Sequence, residues 1–139
     1  FLAALGLMTL AMTLTATYPI TLAMLGSPDA GPLFGGYLGL FLLGASFTSI
    51  GTAASALTNN QVVSFLIALI ICLVPFASGY ALTNVPPAVL PVVQYISFEY
   101  HFNNLARGVI DSRDVLFYLT VVALFLHIAV FALERRRLR

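Results

Sequence analysis

Between Arg107 and Asp114 the chain gathers two arginines and two carboxylates, Arg107, Asp111, Arg113 and Asp114. Such a set is equipped for ion pairing, substrate contact or the capping of a helix. Asp111 stands three residues before Asp114, the spacing of a capping box, and two carboxylates suit the positive end of a helix that starts there. Arg107 and Asp111 are four apart and pair if a helix runs that far. Neither His101 nor the second histidine, His127, has another His, Cys or carboxylate at ligand spacing, so no metal site is expected. Capping and interfacial anchoring are favoured over substrate contact for this junction.

Cys72 is the one cysteine, which excludes an intramolecular disulfide; it is expected to act as a small buried hydrophobe. Lysine is absent, which removes both the P-loop and the lysine Schiff base. His127 sits in an apolar stretch, where an ionisable group flags function. An enzyme working at membrane depth needs paired catalytic groups, and His127 and Cys72 have none evident. No catalytic residue, cofactor or nucleic-acid partner is expected.

The elements that must position these groups are set by the solvent. Asp29 is the only charge in the first 98 residues, and the whole chain is 8% charged against 60% hydrophobic. A water-facing surface needs roughly 25–35% charged residues, so the solvent for most of this chain is lipid. Residues 1–25, 33–57, 61–82 and 115–133 are each long enough to span a bilayer as a helix, which takes about 20 residues. Nothing alternates as barrel strands do. The expected fold class is therefore an all-α integral membrane protein, one domain of four transmembrane helices, with an amphipathic or re-entrant segment over 83–114 and a tail over 134–139. The chain opens in mid-span without an initiator Met, and a missing N-terminal part is expected.

The tail Glu134-Arg135-Arg136-Arg137-Leu138-Arg139 follows a span directly, and the positive-inside bias puts it in the cytoplasm. Counting back, Thr58–Gln61 is cytoplasmic, and Asp29 and the 83–114 segment are external. In the first span Thr9, Thr13 and Thr17 share a face, a candidate pathway stripe, and Pro19 is expected to kink the helix. The second span carries Gly35 and Gly39 as GxxxG, continued by Gly44, Thr48, Thr52 and Ala56, a candidate packing stripe. Thr58 or Asn59 is expected to cap the third span. After Pro91, Tyr95, Phe98, Phe102, Leu105 and Val109 are spaced as one helical face, with Gln94, Ser97, His101 and Asn104 opposite. Phe98, Phe102, Asn103, Arg107, Asp111 and Asp114 are the candidate external gate or interface.

The string Phe102-Asn103-Asn104-Leu105-Ala106-Arg107-Gly108-Val109-Ile110-Asp111-Ser112-Arg113-Asp114-Val115, followed by an apolar span and an arginine-rich end, resembles the C-terminal region of ABC type-2 permeases. The subgroup is that of the gliding-motility and nitrous-oxide-reductase maturation permeases; Gly35–Leu40 and Ala54–Gln61 agree with it. The resemblance implies a six-helix subunit of the cell (inner or plasma) membrane, of which these are spans three to six, with an external re-entrant segment between the last two. It implies a second permease copy, identical or not, and a separate ABC ATP-binding subunit as partners, besides membrane lipid, and export rather than import. The rival expectation is an ATPase-independent channel or membrane scaffold, which the lack of any ring of acidic or basic residues in the spans disfavours.

Overall fold

The computed structural model describes residues 1–81 and 86–137, all helical where regular, with no strand among them. In chain order the helices are α1 (Leu2–Thr15), α2 (Thr17–Leu25), α3 (Ala30–Leu57), α4 (Gln61–Ala81), α5 (Leu90–Ile96), α6 (Phe98–Ala106) and α7 (Ser112–Arg137). Four stretches are long and apolar enough to cross a membrane: Leu2–Leu25, Ala30–Leu57, Gln61–Gly79 and Ser112–Arg137. They match the four expected spans. The end of the third span at Leu82, the start of the 83–114 segment and the last two residues of the tail lie outside the described residues. Leu2, Leu7, Leu14 and Phe65, each more than 60% exposed, are among the large apolar side chains on the outside of the bundle. In water that would be an aggregation surface; against acyl chains it costs nothing.

Helix α3 is the hub. It packs most extensively on α7, then on α6, α4 and α1. Its buried positions include Gly35, Gly39, Leu42, Ser46, Ser49, Ala53 and Ala56, steps of four and three that hold one face of a helix, and Leu43, Ala45, Ile50 and Ala54 widen that face. The expected stripe through Gly44, Thr48 and Thr52 departs from this face, and all three are only half-buried. A strict four-residue repeat advances about 40° around the axis at each step, so it spirals off any fixed contact. Gly44 meets the side chain of Met8 on α1 instead. Thr48 and Thr52 turn their hydroxyls onto the carbonyls of Gly44 and Thr48 in their own helix. At the arginine end, Ala53 and Ala56 of α3 meet Ala129 of α7, small residues that let two backbones approach.

The first span is interrupted at Ala16, which keeps helical dihedrals (φ −62°, ψ −12°), one turn before the Pro19 that is expected to kink it. Pro19 has no N–H to give the Thr15 carbonyl four residues earlier. The Tyr37 hydroxyl of α3 donates to that carbonyl at 3.0 Å. The cap of α4 is Asn60, not Thr58 or Asn59: its Oδ1 accepts from the Val62 N–H at 3.0 Å. Thr58 closes the preceding helix as its C-cap.

The segment before α7 is two helices, not one. Ser97 is extended (φ −74°, ψ 118°), and its hydroxyl caps α6 by accepting from the Tyr100 N–H at 3.2 Å. The break resets the helical phase, so the expected face does not persist. Phe98 and Leu105 are buried, whereas Tyr95 is 73% and Val109 62% exposed. Ser97 and His101, expected on the polar side, are buried.

A buried histidine–aspartate pair between α6 and α7

Helix α6 is seated on α3 by two glycines. A Cβ at Gly35 would overlap the Leu105 carbonyl, and one at Gly39 would come within 3.2 Å of Leu105 and the Phe102 ring. The GxxxG pair thus receives a short helix of the same chain. On the α4 side, Gly79 leaves room for the side chain of Glu99, which accepts from Asn103 Nδ2 at 2.8 Å. Glu99 lies in the first turn of α6, where the helix dipole favours a carboxylate.

That seating carries Phe98 and His101, nearly one turn apart, to the first two turns of α7. His101 Nδ1 lies 2.5 Å from Asp114 Oδ1, and both side chains are about 95% buried. One turn further along α7, the Tyr118 hydroxyl donates to the Phe98 carbonyl at 2.7 Å. Phe117 stacks on the His101 ring, with centroids 4.1 Å apart and planes at 22°. Phe98 stacks on Tyr118 at 6.1 Å. Phe98, Leu105 and Tyr118 join Leu42, Leu43 and Ile50 of α3 in one core cluster.

The hydrogen-bond partners fix what the imidazole can do. Nε2 faces the Tyr95 carbonyl at 3.1 Å, and a carbonyl only accepts, so Nε2 bears a proton. That carbonyl belongs to the last turn of α5, where carbonyls lack intrahelical donors, so His101 caps α5 while it holds α7. One proton is shared between Nδ1 and the carboxylate, and the pair has no net charge whichever side holds it. In a hydrolytic triad the second nitrogen faces a nucleophile; here it faces main chain and has no lone pair to offer. Asp114 Oδ1 also lies 3.5 Å from Asn104 Nδ2, whereas Oδ2 is buried with no hydrogen-bond partner.

Several expectations fall elsewhere. Asp111 does cap α7, its Oδ1 accepting from the Arg113 N–H at 3.0 Å. The reciprocal half of the capping box is not made, because Asp114 turns to His101. Arg107 and Asp111 do not share a helix: α6 stops at Ala106, and Gly108 turns the chain at φ +82°. Among the described residues the His101–Asp114 contact is the only ion pair, and no cluster of three or more His, Cys, Asp or Glu is placed to hold a metal. Asn103 and Arg107 are exposed, and Phe102 is half-buried.

Thr9, Thr13 and Thr17 are exposed on α1 and α2, and their hydroxyls bond the carbonyls of Leu5, Leu10 and Leu14 in their own chain segment. His127 is exposed on the apolar flank of α7, and Cys72 is half-buried beside the core cluster. Neither is near the His101–Asp114 pair in the sequence of contacts that builds it. His101 with Asp114, and Tyr118 behind them, were not picked out together by sequence reading. A tyrosine one turn into an otherwise apolar span was the available signal. Among protein families, curated proteins and solved structures, comparison yields no match for this chain.

Proposed function

We propose that this chain is part of a membrane-spanning permease subunit of an ABC transporter, coupling ATP hydrolysis by a separate subunit to export of a substrate. The observation that carries the reading is the α5–α6 pair inserted before the last span, whose junction with α7 holds the Phe102–Val115 string that resembles type-2 permeases. Two physical features support it. Helix α6 is gripped on one side by Gly35 and Gly39 of α3 and on the other by Asp114 and Tyr118 of α7. A helix held by two spans follows their relative motion, which is what a gate at the end of a pathway requires. The imidazole is occupied on both nitrogens, which fits a subunit whose chemistry is done by another chain.

In this reading the four spans are the later ones of a six-helix subunit, and two such subunits dock on two ATP-binding subunits. The arginine tail and Thr58–Gln61 face the cytoplasm, and α5–α6 lies outside. The full-length protein, purified alone and reconstituted in liposomes, is expected to be silent without ATP and its partner. Ion conduction by the protein alone would replace the permease reading with that of a channel.

A further inference from the structure

A cleft of about 750 Å³ opens beside the His101–Asp114 pair, between α5, α6 and the first four turns of α7. Its lining changes character along its length. At one end are Asp111, Arg113 and Asn104; from there it follows α7 past Leu116 to Leu124. Arg113 to Leu124 is about 16 Å of helix at ~1.5 Å per residue, half of a hydrocarbon core of roughly 30 Å. An occupant that fills it is polar at one end and apolar over the rest.

The polar end holds one cation and one anion. Arg113 and Asp111 are exposed, and among the described residues neither side chain is in an ion pair. The His101–Asp114 pair adds no net charge. Asp114, 97% buried in the cleft wall and held by His101, leaves Asp111 as the carboxylate open to an occupant. A zwitterionic head that carries N–H donors matches Arg113 with its phosphate and can donate to the Asp111 carboxylate; a choline head has the charges but no N–H. We propose that this cleft is a binding site for a phospholipid with a phosphoethanolamine head, its phosphate on Arg113, its ammonium on Asp111, and an acyl chain along Leu116 and Leu124. The inference requires only that α7 crosses the bilayer, and does not rest on the permease reading.

The test is photolabelling of the full-length protein in phosphatidylcholine vesicles that contain phosphatidylethanolamine with a diazirine in its acyl chain. Label is expected on the α7 peptide around Leu116–Leu124, about tenfold above that from the matching phosphatidylcholine probe, the worth of one charge-assisted hydrogen bond. Arg113→Gln, which removes an unpaired exposed side chain, and Thr120→Phe, which fills the cleft, are each expected to bring the ethanolamine probe down to the choline level. Labelling of α1, set by general lipid contact, is expected to stay unchanged in both variants and reports an intact fold. Equal labelling by the two probes, or α7 labelling no higher than that of α1, would overturn the proposal. So would disulfide cross-linking of Leu116→Cys to Leu116→Cys, or of Leu124→Cys to Leu124→Cys, between two copies, because a second copy would then cover the cleft. None of these outcomes bears on whether an ATP-binding subunit associates.

Discussion

His101 Nδ1 and Asp114 Oδ1 lie 2.5 Å apart across the α6–α7 contact, and the same imidazole reaches the last turn of α5 through Nε2. One side chain thus joins three helices. Removing its acid partner leaves a buried Nδ1 facing nothing.

Asp114→Ala is expected to destabilise the protein by roughly 3–5 kcal/mol, the cost of breaking a buried pair on one side. His101→Phe with Asp114→Leu replaces both partners by apolar groups and is expected to cost less than Asp114→Ala alone. Thermal unfolding of the wild type, His101→Phe, Asp114→Leu and the double variant in detergent measures the coupling. Additive losses would show that the two residues act separately.

Tyr118→Phe removes the hydroxyl that satisfies the Phe98 carbonyl and keeps the stacked ring. The expected loss is about 1–3 kcal/mol, since the carbonyl remains buried. Tyr37→Phe removes the donor that stands in for the missing Pro19 N–H at the Thr15 carbonyl, near the middle of the first span where lipid offers no replacement, and is expected to cost a similar amount. Unfolding midpoints of the two variants give the comparison.

The glycines of α3 make a sharper contrast. Gly35→Ala forces a Cβ into the Leu105 carbonyl and is expected to lift α6 off α3, whereas Gly51→Ala meets nothing within 4 Å. In a helix interior the second change favours the helix by about 0.8–1 kcal/mol. The unfolding midpoint in detergent reports the seating of α6. It is expected to fall with Gly35→Ala and not to fall with Gly51→Ala.

What the sequence made legible follows from where the physics is local. Four spans are readable because length and apolarity alone specify a helix in lipid, and Asp111 is readable as a cap because its bond is two residues long. The His101–Asp114 pair is not, because thirteen residues and a turn at Gly108 separate its partners. The face from Tyr95 to Val109 does not persist for the same reason: its spacing crosses Ser97, where the backbone leaves the helix. Gly44, Thr48 and Thr52 lie off the face that α3 turns to α7, and of the three Gly44 packs on Met8 of α1, a division that only the crossing of the helices defines.

Accessibility of single cysteines, in a background with Cys72 replaced by alanine, tests the proposed topology. Asn103→Cys and Arg107→Cys lie at exposed positions, and Ser97→Cys at a fully buried one. An impermeant thiol reagent added outside intact cells is expected to modify the first two and to spare Ser97→Cys and Arg137→Cys. Modification of Arg137→Cys alone would invert the orientation.

The most direct measurement is affinity purification of the tagged full-length protein from its native membrane, with identification and ATPase assay of whatever accompanies it. An ABC ATP-binding subunit in equal amount to the tagged chain, with ATP hydrolysis that changes when Gly35→Ala disturbs α6, is the expected result. A protein that leaves the membrane intact, without any ATP-binding subunit and without ATPase activity, would contradict the proposed function.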